Sequence, residues 1–219
     1  MKSSPSEASQ STSPTVTLPN LGNYVAGYNG ASVAARNYLQ DAREALASAF
    51  APGNAIKPLL RQTSECVDQA LSLLWTESLD GAPEAALIAV GGYGRGELFP
   101  QSDIDILILI DRMPDEATAG KLERFVTSLW DIGLQIGHSV RTLAECETLA
   151  TEDLTIITTM MEARHLIGNQ SLFPKLEALI APTRMWGPND FIRGKLTEQQ
   201  NRHDRYSNTE YALEPNIKS

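Results

Sequence analysis

A small mixed α/β (α+β) sheet, with helices before and after it in the chain, is the fold this sequence predicts. Three observations carry that reading. Apolar runs of strand length stand at residues 86–90 and 103–110, and a rough alternation at 134–141. Segments of helical periodicity precede, separate and follow them. The length, 219 residues, suits one good-sized core with a helical appendage. Strands and helices mixed in this order pack as α/β or α+β layers.

Residues 1–22 open the chain with Ser, Thr and Pro and few apolar groups, the composition of a disordered arm. Residues 23–82 are expected to be an N-terminal helical segment. A loop carrying Tyr24 and Tyr28 leads into a helix from Ala31, with Val33, Tyr38, Ala42, Leu46 and Phe50 on one stripe. Pro52-Gly53 ends it. A second helix is expected over residues 58–78, with Leu59, Leu60, Val67, Leu71, Leu74 and Trp75 facing inward. Gly81-Ala82-Pro83 then breaks the pattern.

Residues 83–150 form the expected core. Its first strand is Ala86-Leu87-Ile88-Ala89-Val90 and its second runs from Asp103 to Ile110. Asp115 or Thr118 caps the next helix, which reaches about Trp130 with Leu122, Phe125, Val126 and Leu129 as its stripe. The third strand follows at 134–141, then a helix at 143–150. Residues 151–219 are expected to be a C-terminal helical segment. It holds a helix over 153–167 closed by Gly168-Asn169, a short one over 171–180, and a polar one over 188–206 anchored by Phe191, Ile192 and Leu196.

Charge narrows the function classes. The formal net charge is −9 and the isoelectric point about 4.8, which disfavours nucleic acid as a partner. Cys66 and Cys146 have neither pairing nor metal spacing and are expected to be reduced thiols in the cytoplasm. No apolar run is long enough to cross a membrane, and the start of the chain lacks the pattern of a signal peptide.

The chemistry concentrates in GGYGRGELFPQSDIDILILI, residues 91–110. Gly91, Gly92, Gly94 and Gly96 free the backbone to turn sharply and approach an anion. Arg95 adds a fixed positive fork. Asp103 and Asp105 alternate with Ile104, so both carboxylates leave one face about 6.5–7 Å apart along the backbone. Two such acids repel unless a cation sits between them, and hard oxygen ligands beside a glycine loop suit Mg2+ with a nucleoside triphosphate. Either element alone also describes an ordinary tight turn or a solvated strand end. The sequence is neither a P-loop, since no Gly-Lys-Ser/Thr follows, nor the dinucleotide fingerprint, since the glycine spacing fails.

The order strand, Gly91-Gly92 loop, short linker, Asp103-Ile104-Asp105 strand resembles the nucleotidyltransferase superfamily that includes DNA polymerase β. The fuller string GGYGRGELFPQSDIDILIL is similar to the N-terminal domain of the PII uridylyltransferase/uridylyl-removing (GlnD) family of bacterial nitrogen sensors. Gly137-His138-Ser139-Val140-Arg141-Thr142, Glu162-Ala163-Arg164 with Leu166-Ile167-Gly168, and Leu213-Glu214-Pro215-Asn216-Ile217-Lys218 agree with it. The resemblance implies a small mixed sheet of the polymerase β type. It implies that Asp103 and Asp105 hold catalytic Mg2+ and that Gly91 and Gly92 hold the phosphates of UTP. It also implies transfer of UMP to a tyrosine of the PII signal protein with release of pyrophosphate. Adenylylation of a protein, or nucleotide binding without turnover, are the alternatives.

Such enzymes usually place a third acid on a later strand. The third strand here offers Gln135, His138 and Arg141 instead, with Asp131 and Glu145 nearby, so the third carboxylate has no assigned place. Arg141 either meets triphosphate charge or pairs with an acid such as Glu97. His138 is expected to be structural. His203-Asp204 spells the dipeptide of HD phosphohydrolases, but the chain's 3 histidines are too few for that site. The final residues, from Leu213, resemble the start of a segment that continues in the family. The chain is therefore expected to be an N-terminal fragment with a partly walled pocket, lacking the HD and glutamine-sensing ACT domains.

Overall fold

The computed structural model describes residues 16–50, 54–79 and 84–181, with a few helical positions between 192 and 200. The arm over 1–15, the chain's last residues and most of the polar helix expected at 188–206 lie outside the described residues. Of that helix's expected anchors, Ile192 and Leu196 are exposed.

The helices α2 (Ala31–Ala49) and α3 (Ile56–Leu79) follow their apolar stripes except at Val33, which is exposed, with Tyr38, Leu39, Leu59, Leu71 and Leu74 buried. Before them, α1 (Leu21–Gly27) stands where a loop was expected. Asn20 caps it by accepting from the Gly22 amide, and Tyr24 packs edge-on against Tyr38 at 5.8 Å between ring centroids. The preceding residues differ from the expected arm as well. Val16 and Leu18 pack against the core, and Gln62 donates to the Val16 carbonyl.

The sheet has the order β3-β2-β1-β4. β1 (Ala85–Ala89) and β2 (Ile104–Ile110) are antiparallel, in the register Ala89 to Ile106 and Ala85 to Ile110. β2 connects through α5 (Glu116–Asp131) to β3 (Ile136–Thr142), which lies parallel to it. A helical crossover of this kind is what a parallel neighbour requires. Asp115 caps α5 through the Thr118 amide, as its spacing predicted. α6 (Leu143–Glu152) starts on a capping box between Thr142 and Glu145, and Asp153 caps α7 (Leu154–Met161). α8 (Leu172–Leu179) completes the described elements.

The fourth strand corrects the sequence reading. β4 (Arg164–Gly168) pairs antiparallel with the free edge of β1. The helix expected to run on to residue 167 stops at Met161. No glycine or proline marks the change between Met161 and Arg164. The pairing with β1, which leaves no bare edge on that strand, overrides the local pattern.

Helices cover both faces. Leu87, Ala89, Ile104, Ile106, Ile108 and Ile110 pack on α2, α3 and α5, where Trp75 meets Phe125 edge-on. Ala86, Ile88, Leu107 and Leu109 pack on α6, α7 and α8. The alternation that puts Ile104 and Ile106 on the first face puts Asp105 on the second. The architecture is the mixed α/β sheet that was expected, one strand wider.

Candidate active site

Six of the seven residues of β2 are buried, and Asp105 is the exception. It is the second residue of the strand, one after Ile104. The Val90 amide donates to the Asp105 carbonyl at 3.0 Å. That bond fastens the start of the glycine loop to the carboxylate strand.

The loop is a single tight turn, α4 (Gly91–Gly94). Gly91 has φ +58, a left-handed conformation that L side chains rarely adopt. A Cβ on it would lie 3.6 Å from Asp105 Oδ2, so the loop backbone and the carboxylate are immediate neighbours. The turn's own bonds run from Gly94 to Val90, from Arg95 to Gly91 and from Gly96 to Tyr93. The amides of Gly91, Gly92 and Tyr93 stand at its front, outside those bonds.

On the other side of β2, Gly137 of β3 pairs with Asp105. A Cβ there would come 2.5 Å from Asp105 Oδ1. The carboxylate thus leans over a strand position that only glycine leaves open. Gly137 appeared in the sequence as part of a resembling stretch, without a role. Its function depends on the register of β2 and β3.

Burial, and secondarily the charge of Asp103, hold the Asp105 carboxyl above the ordinary carboxylate range. Asp103, exposed, precedes β2 on the same alternation. Two hard oxygen donors on one face, beside an open glycine turn, fit a divalent cation such as Mg2+. They are fewer than its six ligands, so triphosphate oxygens and water would complete the shell. Among the described residues no group of three or more His, Cys, Asp or Glu is arranged to hold a metal. The third carboxylate, which had no assigned place in the sequence, is not identified among these residues. Just before β3, the Gln135 carbonyl accepts from the Ile104 amide at 2.9 Å.

Arg95 closes the turn, its Nη2 3.6 Å from where a Cβ on Gly92 would stand. Its Nη1 is 2.5 Å from Glu162 Oε2 and its Nε 3.9 Å from Glu97, with the side chain 49% exposed. Arg141 is not brought to the site. It pairs with Leu109, four residues beyond the Asp105–Gly137 level, or about 13 Å along the strand. Nor is it paired with Glu97. Its charge instead helps hold the Glu145 carboxyl low, after the bonds that Thr142 gives that carboxylate. His138 pairs with Ile106 on the opposite face and is exposed. Cys66 and Cys146 are buried free thiols, and burial pushes the Cys146 thiol up to about 11.

A cavity of about 440 Å³ lies between the 98–104 segment, residues 133–135 and the α2–α3 pair, and neither Asp103 nor Asp105 lines it. Its walls are mainly apolar, from Leu39, Leu46, Phe50 and Leu134, with Ser102 and Gln135 among the polar residues that line it.

Residues 72–163 match the family model for the nucleotidyltransferase domain. That stretch is similar to a nucleotidyltransferase domain. Residues 190–219 match a second model, described as GlnD PII-uridylyltransferase. Among curated relatives, the bifunctional uridylyltransferase/uridylyl-removing enzyme of Azotobacter vinelandii is 48% identical over 182 residues. Proteins of the same name from Pseudomonas aeruginosa and Cupriavidus metallidurans are 46% identical over 178 residues and 45% over 183. These matches cover 80–84% of this chain and 20–21% of the relatives. The chain thus spans about a fifth of the length of the relatives it matches. The glycine turn, both aspartates and β1 to β3 all fall inside the matched nucleotidyltransferase domain. Among the described residues no helix is long and apolar enough to cross a membrane.

Proposed function

We propose that this chain carries the nucleotidyl-transfer half of a PII-uridylylating enzyme, moving UMP from UTP to a tyrosine hydroxyl of PII and releasing pyrophosphate. The observation that carries the proposal is the Asp105 carboxylate wedged between Gly91 of the turn and Gly137 of β3. Triphosphate oxygens fit the open side of the turn. Backbone amides of Gly91 and Gly92, and the donors of Arg95 not engaged by Glu162, would hold them. Asp103 and Asp105 would hold Mg2+. When bound, that ion supplies charge neutralisation at the α-phosphate and the leaving oxygens. By fixing where that ion would sit, Asp103 and Asp105 would set the α-phosphate for in-line attack by the acceptor hydroxyl, whose proton leaves to solvent or to a carboxylate as pyrophosphate departs. Catalysis in this layout is mostly positioning and electrostatics. Work in the cytoplasm suits two reduced cysteines and a nucleotide substrate. The relatives' printed name supports uridylyl over adenylyl transfer; no residue described at the turn selects a base.

Calorimetric titration of the chain with UTP and with ATP, each with and without Mg2+, tests the reading. The Asp103→Asn/Asp105→Asn double variant runs beside it. Mg2+-dependent UTP binding that the variant loses is the expected result. A folded wild type that binds neither nucleotide would overturn it.

A further inference from the structure

Three successive residues of the glycine turn are held from behind by one segment, residues 162–164. Gly94 rests on the Glu162 carbonyl, so closely that a Cβ would lie 2.0 Å from that oxygen. Arg95 bonds the Glu162 carboxylate. Tyr93, the only residue of α4 with a side chain, is the third. It is 1% exposed and points away from the open side into the core. There its hydroxyl donates to Asp68 Oδ1 of α3 at 2.5 Å. Arg164, at the first position of β4, grips the same carboxylate with both terminal nitrogens, at 2.7 and 3.1 Å. Its Nη2 also reaches the Tyr93 carbonyl at 3.4 Å, and its guanidinium lies 5.5 Å from the Tyr93 ring centroid.

A partly buried ion pair of this sort is a poor source of stability. Desolvation takes back most of the Coulomb gain, and apolar residues of the same size would serve a core as well. What the pair supplies is direction. The planar fork on a carboxylate fixes both partners' orientation, and Tyr93 is tied to it by hydroxyl, carbonyl and ring. The turn itself has little to hold its shape, since three of its four residues are glycine and glycine gains the most freedom when released.

We propose that Asp68, Arg164 and Tyr93 form a clamp that holds the glycine turn in its anion-receiving shape, so that Asp68 and Arg164 are positioning residues for the nucleotide phosphates. The second half of that statement rests on the nucleotide reading above; the clamp itself does not. It links α3, α4 and β4, elements far apart in the chain, and it explains why β4 begins with a charged residue against the core. The reacting groups stay untouched by it, and its loss is felt through the turn.

The test uses the 219-residue chain with Tyr93→Phe, Arg164→Lys and Asp68→Asn made singly. Amide hydrogen exchange is measured at Gly94, Arg95 and Gly96, whose bonds define the turn, together with thermal unfolding and the Kd for UTP with Mg2+. In variants that melt near wild type, exchange at these three amides should rise about tenfold or more, with no matching rise in β1 and β2. Kd should rise about tenfold. Arg164→Lys, which keeps the charge without the fork, should fall between wild type and Asp68→Asn. Should the charged variants fail to fold, Tyr93→Phe decides, because it leaves the Asp68–Arg164 pair intact. Unchanged exchange in the folded variants overturns the clamp, whatever the nucleotide result. A wild type that binds no nucleotide, while exchange rises in the variants, upholds the clamp and overturns the functional reading instead.

Discussion

Asp105 and Gly137 are paired across β2 and β3, and the carboxylate of the first fills the space a side chain on the second would need, 2.5 Å from its Cβ position. The neighbour that gives way is the end of a flexible side chain, not backbone. Gly137→Ala should therefore cost the fold little. Removing a glycine from a strand is itself worth about 0.5–1 kcal/mol, so its melting temperature should match or exceed wild type. Asp105, however, must rotate away from Gly91. Nucleotidyl transfer should drop about a hundredfold, a size typical of an angstrom-scale misplacement. Thermal melts with a UMP-transfer assay check both halves. A stable variant with normal turnover would show that the observed Asp105 rotamer is not the working one.

Asp105→Asn separates the site's cost from its use. The carboxyl titrates above its ordinary range because burial and Asp103 disfavour its charge. The sign follows: above the ordinary carboxylate range the ionised group opposes folding, and the amide does not. At neutral pH and without metal the variant should melt at or above wild type. With Mg2+ and UTP the wild type should gain stability and the variant should not. A variant stabilised by ligand as strongly as wild type would remove Asp105 from the binding site.

Two glycines of the same turn should behave oppositely. A Cβ at Gly94 meets the backbone of Glu162 at 2.0 and 2.9 Å and the Ala89 carbonyl at 3.1 Å. None of these can move cheaply. Gly94→Ala should cost about 1–3 kcal/mol or more, the usual range for an overpacked site. At Gly92 the nearest atom is Arg95 Nη2 at 3.6 Å, an ordinary contact. Gly92→Ala should leave stability within about 0.5 kcal/mol. Its methyl would still intrude where the backbone is expected to approach phosphate, and UTP affinity should fall about tenfold. Melting curves and titrations of both variants decide this. Unchanged affinity in Gly92→Ala would move the phosphates elsewhere.

These contrasts mark where the sequence was legible. Local signals survived folding: the stripes of α2 and α3, the Asp115 cap, the apolar runs of β1 and β2, and the spacing of Asp103 and Asp105. Features that depend on partners did not. β4 is a short stretch with Arg164 and His165 in it, and it becomes a strand only because β1 has an edge to fill. α1 contains two glycines and is held by Asn20 and Tyr38. The sequence left Arg141 open to meeting triphosphate charge, and only the parallel register shows that four residues of strand separate its level from that of Asp105. Gly137, Asp68 and Arg164 carry no signal of their own in one sequence. They acquire roles through contacts that span 25 residues or more of chain, as with Tyr93 and Asp68.

His165 gives the fold a pH dependence that can be signed in advance. It lies half-buried on β4, its ring 6.2 Å from that of Phe173, and its Nε2 is buried without a hydrogen-bond partner among the described residues. Burial pushes its proton affinity down, and a backbone bond with Gly168 offsets part of that shift. The unfolded chain then holds more protons than the folded one between the folded value and the ordinary histidine value of about 6.5. Stability from this group is fully present above that ordinary value and is lost as pH falls through it toward the folded value. Between about pH 7 and pH 5 the wild type should lose more stability than His165→Leu, which has no proton to gain there. Urea unfolding at several pH values, with the two proteins compared slope by slope, measures the difference. Parallel profiles would mean that the imidazole reaches solvent when protonated and that β4 does not enclose it.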